Sequence, residues 1–226
     1  MITKIGHRGA MGYAPENTLK SFKKALELHV DAVELDVYVC KSGELVVIHD
    51  DKVNRTTNGK GYVVEKTLNE LRSLDAGEGE KIPLLTEVLD LVDKKVKINI
   101  ELKGTGTAKP VHELIESYVK NNSWKYDHFM ISSFNHYDLK SFKELNPNIK
   151  IGALIMGIPI GFAEFAEKVN ADSINLCIES INKEFVDDAH KRGFKVYVWT
   201  VNDSDDIERI KALNVDGIFS NFPDRL

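Results

Sequence analysis

Short β-branched runs alternate with segments whose apolar residues recur three and four positions apart, and the rhythm holds from one end of the chain to the other. The strand-like runs are Ile2 to Gly6, Ala32 to Val39, Val96 to Leu102, Phe129 to Ser133, Lys150 to Ile155, Ser173 to Cys177, Lys195 to Val201 and Gly217 to Ser220, eight in all. Between them lie amphipathic helical patterns: Leu19, Phe22 and Leu26 share one face, Phe185 and Ala189 another, with Gly193 where a helix C-cap is expected. Every strand but the last is followed by a helical segment, which predicts parallel strands joined by crossovers. Eight such units in 226 residues predict an α/β chain folded as a TIM (β/α)8 barrel with few embellishments. An open doubly wound sheet is the competing topology. The last unit is truncated, since only Phe222 to Leu226 follow its strand.

One stretch breaks the rhythm. After the second strand, Lys41-Ser42-Gly43-Glu44 reads as a tight turn into the apolar run Leu45 to Ile48, which implies an added hairpin strand. Residues 51–83 then form a small insertion, with turn signals at Asn58-Gly59-Lys60-Gly61 and a Thr67-x-x-Glu70 capping box ahead of a short helix. The insertion is too short for a second domain. Residues 1–226 are therefore read as one barrel domain, with a short cap over the C-terminal face, where this fold keeps its active sites.

With 42% apolar and 29% charged residues the chain can bury a substantial core. Its net charge of −5 includes no block of like charge, which argues against nucleic-acid binding. The first residues enter a strand without a signal-like h-region, and no apolar run approaches the ~20 residues of a membrane span. Cys40 and Cys177 sit within apolar runs and read as buried free thiols. Together these features predict a cytoplasmic protein with no integral membrane segment.

Strand parity places the chemistry. In the second strand Val33, Leu35, Val37 and Val39 share one face and Glu34 and Asp36 the other. The third repeats the pattern, with Ile98, Ile100 and Leu102 opposite Asn99, Glu101 and Lys103. If the apolar faces meet the helices, Glu34, Asp36 and Glu101 point into the barrel, where mutual repulsion calls for a cation. All-oxygen ligation suits Mg²⁺ or Ca²⁺ better than Zn²⁺, and Mn²⁺ also fits. The same parity suits an inward ion-pair layer of these acids with Lys103, and the strands alone leave both readings open.

His7 and His49 each end an apolar run, and two histidines near neutral pKa can supply both a base and an acid. Each alone also suits a structural hydrogen-bonding role; His29, His112, His128, His136 and His190 are given that role outright. Arg8 and Lys103 can bind an anion or pair with the nearby acids. Trp199, Phe134 and Tyr13 offer an aromatic rim or simple packing.

The ordered set His7-Arg8-Gly9, Glu16-Asn17-Thr18, Glu34-Leu35-Asp36, His49-Asp50 with Arg55-Thr56, and Asn99-Ile100-Glu101-Leu102-Lys103 resembles the glycerophosphodiester phosphodiesterases. Further matches at Leu74 to Gly77, Ser132-Ser133-Phe134, Val198 to Asn202 and Asp216 to Ile218 extend the likeness along nearly the whole chain. The resemblance implies a TIM barrel with Glu34, Asp36 and Glu101 as ligands of one divalent ion and His7 and His49 as the acid–base pair. It also implies Arg8 and Lys103 on phosphate, with Glu16 and Asn17 supporting the loop beside them. Two departures stand out: Pro83-Leu84-Leu85 where Pro-Thr-Leu is frequent, and Ser220-Asn221-Phe222-Pro223 where Thr-Asp is common. Neither touches a proposed ion ligand.

The implied reaction is hydrolysis of a small-molecule glycerophosphodiester to glycerol 3-phosphate and an alcohol, with His7 as base and His49 as acid or the two in reversed roles, by direct water attack or through a cyclic phosphate. Lysophospholipids or glycerol-phosphate polymers are alternative substrates for the same scaffold. A barrel that binds without turnover is the alternative from another class.

Overall fold

Strand β1 (Thr3–Gly6) pairs in parallel with both β2 (Ala32–Val39) and the last strand (Gly217–Ser220), and this double pairing closes the sheet. The computed structural model describes residues 2–226. An added strand, β3 (Leu45–Val47), precedes β4 (Lys97–Leu102), β5 (Phe129–Ser133), β6 (Lys150–Ile155), β7 (Ser173–Cys177), β8 (Lys195–Trp199) and the closing β9 (Gly217–Ser220). Around the ring the order is β1, β2, β4, β5, β6, β7, β8 and β9, all parallel, so the closed barrel forms and the open sheet does not.

The helices are α1 (Leu19–Glu27), α2 (Leu68–Ser73), α3 (Leu85–Val92), α4 (Ala108–Asn121), α5 (His136–Leu145), α6 (Glu164–Glu167), α7 (Lys183–Lys191) and α8 (Ser204–Ala212). Helix α6 has only four residues. The loop before it carries Gly157, Pro159 and Gly161, and both glycines have positive φ, a path that delays helix formation. Gly193, at φ +87°, follows α7 as the C-cap pattern predicts.

Strand parity is realised. Val33, Leu35, Val37, Ile98, Ile100 and Leu102 are buried in a core shared with Phe22, Leu89 and Ile115 of the surrounding helices. Burying each such aliphatic side chain contributes roughly 1.5–3 kcal/mol. Inside the barrel, Ile5, Ala32, Tyr197 and Phe219 pack together with Met130 and Trp199 against them.

Strand β1 covers only Ala32 and Val33 of β2, which leaves the upper edge of β2 unpaired by the ring. Antiparallel β3 takes that edge, with Val37 opposite Val47 and Val39 opposite Leu45. Because β3 runs back toward the barrel, Ile48 donates its N–H to Asp36 O at 3.0 Å, and His49 arrives at the barrel mouth.

Residues 51–83 follow directly. Their helix α2 carries the expected capping box, Thr67 accepting from Glu70 N and Glu70 accepting from Thr67 N at 2.7 Å. Val53, Val63, Leu71, Ala76 and Ile82 pack onto Tyr38, Val46 and Ile48, forming a small satellite core. Arg72 grips Glu87 with two hydrogen bonds of 2.8 and 2.6 Å and so ties the segment to α3. Cys40 and Cys177 are buried free thiols. Among the described residues no helix is long and apolar enough to cross a membrane.

Candidate active site

The register between β2 and β4 sets Glu34 opposite Asn99 and Asp36 opposite Glu101. Glu34, Asp36 and Glu101 each present an oxygen within 4.8 Å of the others, and all three are buried. Each of the three carboxylates accepts a hydrogen bond through one of its two oxygens. Glu34 Oε2 accepts from the backbone N–H of Arg8 at 2.8 Å, and Glu101 Oε1 accepts from Lys103 Nζ at 2.9 Å. Asp36 Oδ2 accepts from Asn17 Nδ2 at 2.8 Å, whereas Asp36 Oδ1 is buried without a hydrogen-bond partner.

The charges do not balance. Burial, followed by Asp36 and Glu101, pushes Glu34 well above the ordinary carboxyl range, and burial followed by Asp36 pushes Glu101 up to about 7. Arg8 and Lys103 are held protonated against the cost of burial by these same carboxylates. Three buried acids thus face two cations, and Asp36 Oδ1 is buried with no hydrogen bond, only Lys103 Nζ at 3.8 Å. A hard divalent ion answers both deficits, because all the donors are oxygens and the site lacks positive charge.

His7 follows the end of β1. Its Nδ1 donates to Asn221 Oδ1 at 2.7 Å, which leaves the Nε2 lone pair facing Glu34 Oε2 at 4.0 Å. Burial, then the neighbouring Arg8 charge, lowers its pKa to about 4. His49 is held from both sides. Lys103 Nζ, which has only protons to offer, lies 3.2 Å from its Nε2, so Nδ1 carries the proton and donates it to Asp50 Oδ1 at 2.6 Å.

The Arg8 loop is anchored by Glu16, which accepts from Arg8 Nη1 at 2.7 Å. Arg8 and Asn17 both adopt left-handed backbone, φ +50° and +58°, an uncommon conformation sustained here by buried polar contacts. Gly9 must be glycine: at φ +84° a Cβ would stand 2.6 Å from the Ser21 backbone carbon.

His7, Arg8, Glu34, His49, Glu101, Lys103, Phe134 and Trp199 all line one cleft of about 60 Å³ at the C-terminal mouth. Phe134 and Trp199 meet edge to face at 5.5 Å and form one wall. Tyr13 does not join them: its ring packs on Phe222 at 5.2 Å and its hydroxyl donates to Asp224 at 2.9 Å. Helical and loop packing also keeps His29, His112, His128, His136 and His190 out of this lining. A larger cavity of about 200 Å³ opens at the other end of the barrel, where Lys97, Lys150 and Lys195 begin their strands. The only potential metal-ligating trio among the described residues lies at the mouth.

Asn221 is the main residue that sequence reasoning missed. As part of a departure from the family pattern it seemed remote from the site, yet barrel closure brings it to His7. Nothing local to Asn221 signals this contact. Asp50 and Arg55 were visible within motifs, but only the fold reveals that Arg55 bonds both Asp50 and Glu16.

A family model described as the glycerophosphoryl diester phosphodiesterase family matches residues 7–225. A glycerophosphodiester phosphodiesterase of Caldanaerobacter subterraneus subsp. tengcongensis is 40% identical over 98% of this chain and 95% of its own length. One from Bacillus altitudinis is 38% identical over 99% and 96% of the two chains. The solved structure of an Oleispira antarctica phosphodiesterase in complex with the product sn-glycerol-3-phosphate superposes with a TM-score of 0.91 at 32% identity, covering 99% of this chain and 94% of that one.

Proposed function

The chain belongs to the glycerophosphoryl diester phosphodiesterase family, and from that premise we propose that it hydrolyses glycerophosphodiesters to glycerol 3-phosphate and an alcohol with the aid of one divalent ion. The observation that carries this reading is the buried trio Glu34, Asp36 and Glu101, one oxygen unpartnered, in a cleft that also holds His7 and His49. The whole chain acts as one catalytic domain, with residues 51–83 as its cap.

Glu34, Asp36 and Glu101 are the residues that would hold the ion, with Mg²⁺ or Ca²⁺ best matched to their oxygens and Mn²⁺ compatible. When bound, the ion would neutralise the trio and polarise a phosphoryl oxygen.

The protein's own groups divide the rest of the work. His7 is the general base: burial keeps it neutral at physiological pH, and its donation to Asn221 leaves the Nε2 lone pair available for a proton from the attacking hydroxyl. We assign His49 the general-acid role: as an imidazolium, with Asp50 accepting from Nδ1, it would present an Nε2 proton to the departing alcohol in place of the Lys103 contact seen in the free protein. Arg8 and Lys103 stabilise the anionic phosphoryl group; Arg8 Nε is buried and has no hydrogen-bond partner of its own. Glu16 and Asn17 hold the loop that carries Arg8, and Phe134 and Trp199 form an aromatic wall of the cleft against which the substrate packs. The buried free thiols Cys40 and Cys177 support a reducing, cytoplasmic setting.

A second reading of the substrate is favoured by Tyr137, in the first turn of α5 after β5, and by Met156, Ile158 and Ile160 on the loop after the adjacent strand β6, all exposed. Such a rim suits an acyl chain, and so a lysophospholipid.

The decisive experiment incubates ion-stripped protein with glycerophosphocholine and follows glycerol 3-phosphate release with added Mg²⁺, Ca²⁺ or Mn²⁺. Restored turnover, absent from Glu34→Ala and Glu101→Ala, supports the proposal. Turnover of lysophosphatidylcholine alone, read as release of choline with lysophosphatidate, selects the acylated substrate, and no product from either of these or from a glycerol-phosphate polymer with any ion overturns the assignment in favour of a binding barrel.

A further inference from the structure

Arg55, from the cap segment, lies outside the cleft lining, and its side chain is 48% exposed, yet all three of its nitrogens are engaged. Nε and Nη2 donate to the two oxygens of Asp50 at 2.7 and 2.9 Å, while Nη1 and Nη2 donate to the two oxygens of Glu16 at 2.6 and 2.8 Å. One planar fork therefore orients two carboxylates at once, a task that a lysine's single ammonium cannot reproduce.

Each carboxylate passes that orientation inward. Asp50 Oδ1 also accepts a hydrogen bond from His49 Nδ1, and Glu16 Oε1 also accepts one from Arg8 Nη1, next to His7. The unbroken path His49, Asp50, Arg55, Glu16, Arg8 joins the loop after β1 to the end of β3, elements with no pairing of their own. The network also keeps Asp50 ionised, Arg55 holding its carboxyl below the usual range.

We propose that Arg55 is a positioning residue of the reaction: it holds Asp50 against His49 and Glu16 against Arg8, so that the acid and the phosphate-binding arginine are set by one guanidinium from the cap. This inference rests on the reading of His49 and Arg8 given above. Without Arg55, Asp50 can swing away, and His49 loses one of the two partners that fix its tautomer and ring plane, keeping only the Lys103 contact at Nε2.

The test compares wild type, Arg55→Lys and Arg55→Ala in the ion-loaded protein. Misplacement of the acid predicts a kcat lower by about 100-fold in Arg55→Ala, with a smaller change in KM. Arg55→Lys should recover only part of that loss, and added guanidinium should partly rescue Arg55→Ala. Melting temperatures should remain close to wild type. In parallel, nitrogen NMR of the His49 ring reports the tautomer without any need for turnover: Nδ1–H in wild type, a mixture in Arg55→Ala. Wild-type kcat and an unchanged His49 tautomer in Arg55→Ala overturn the inference, as does a rate loss that tracks unfolding and resists guanidinium. A wild-type protein inactive on every diester overturns the proposed reaction instead, and the His49 spectra still decide whether Arg55 positions the ring.

Discussion

His7 Nδ1 lies 2.7 Å from Asn221 Oδ1, a contact that spans 214 positions of sequence and joins the first and last strands' loops at the barrel mouth. The acceptor is a neutral amide, so nothing at that end of the ring stabilises an imidazolium by charge. Replacing it with a carboxylate should do so. In Asn221→Asp the His7 pKa rises from about 4, and the acidic limb of the kcat/KM profile moves to higher pH by the same amount. A profile superimposable on wild type would separate His7 from the base role.

Removing either histidine should leave the carboxylate trio in place. His7→Gln and His49→Gln are expected to lower kcat by roughly 10²–10⁴-fold with ion affinity, measured by calorimetry, nearly unchanged. Undiminished turnover in one variant would remove that residue from the mechanism.

Glu34 is a buried carboxyl whose charge is disfavoured by its neighbours in the ion-free protein. Glu34→Gln keeps its shape without the charge. Its ion-free melting temperature should therefore exceed wild type at neutral pH, while the rise caused by Mg²⁺ disappears. Equal Mg²⁺ stabilisation of both proteins would argue that the trio is not the ion site.

The pH dependence of stability follows from Glu101, whose folded pKa of about 7 stands above its ordinary 4.5. A raised folded pKa means the native state holds its proton more tightly than the unfolded chain. That stabilisation is complete below about 4.5 and is lost as pH rises through about 7. Ion-free protein should therefore become less stable across this window, and stabilisation by Mg²⁺ should grow across it, since the ion displaces the proton. Thermal melts at stepped pH with chelator or Mg²⁺ read both trends; a flat ion-free curve contradicts them.

The cap has its own small core around Leu71, which is fully buried. Leu71→Ala is expected to cost about 2–5 kcal/mol within that core. Hydrogen exchange should accelerate across residues 51–83 ahead of the barrel strands; uniform acceleration would show that cap and barrel unfold as one unit.

Much of this site was legible before any coordinates. Side chains alternate along every strand because of backbone geometry alone, so Glu34 with Asp36, and Asn99 with Glu101, had to share a face. The βα rhythm likewise required parallel strands, and the hairpin turn at Lys41 to Glu44 required β3 to run antiparallel. Tyr13 stood open between rim and packing because sequence places it in the first loop but says nothing of its direction; its ring packs on Phe222.

What the tertiary structure decided is everything that depends on register and closure. Parity does not say that Asp36 stands opposite Glu101; the pairing of β2 with β4 does. Nor does any local pattern bring Asn221 to His7, or Arg55 between Asp50 and Glu16. Alternation and helical periodicity are set by bonds between near neighbours and can be read along the chain. Contacts across a closed barrel depend instead on how all eight strands pack at once, and only the folded chain carries that information.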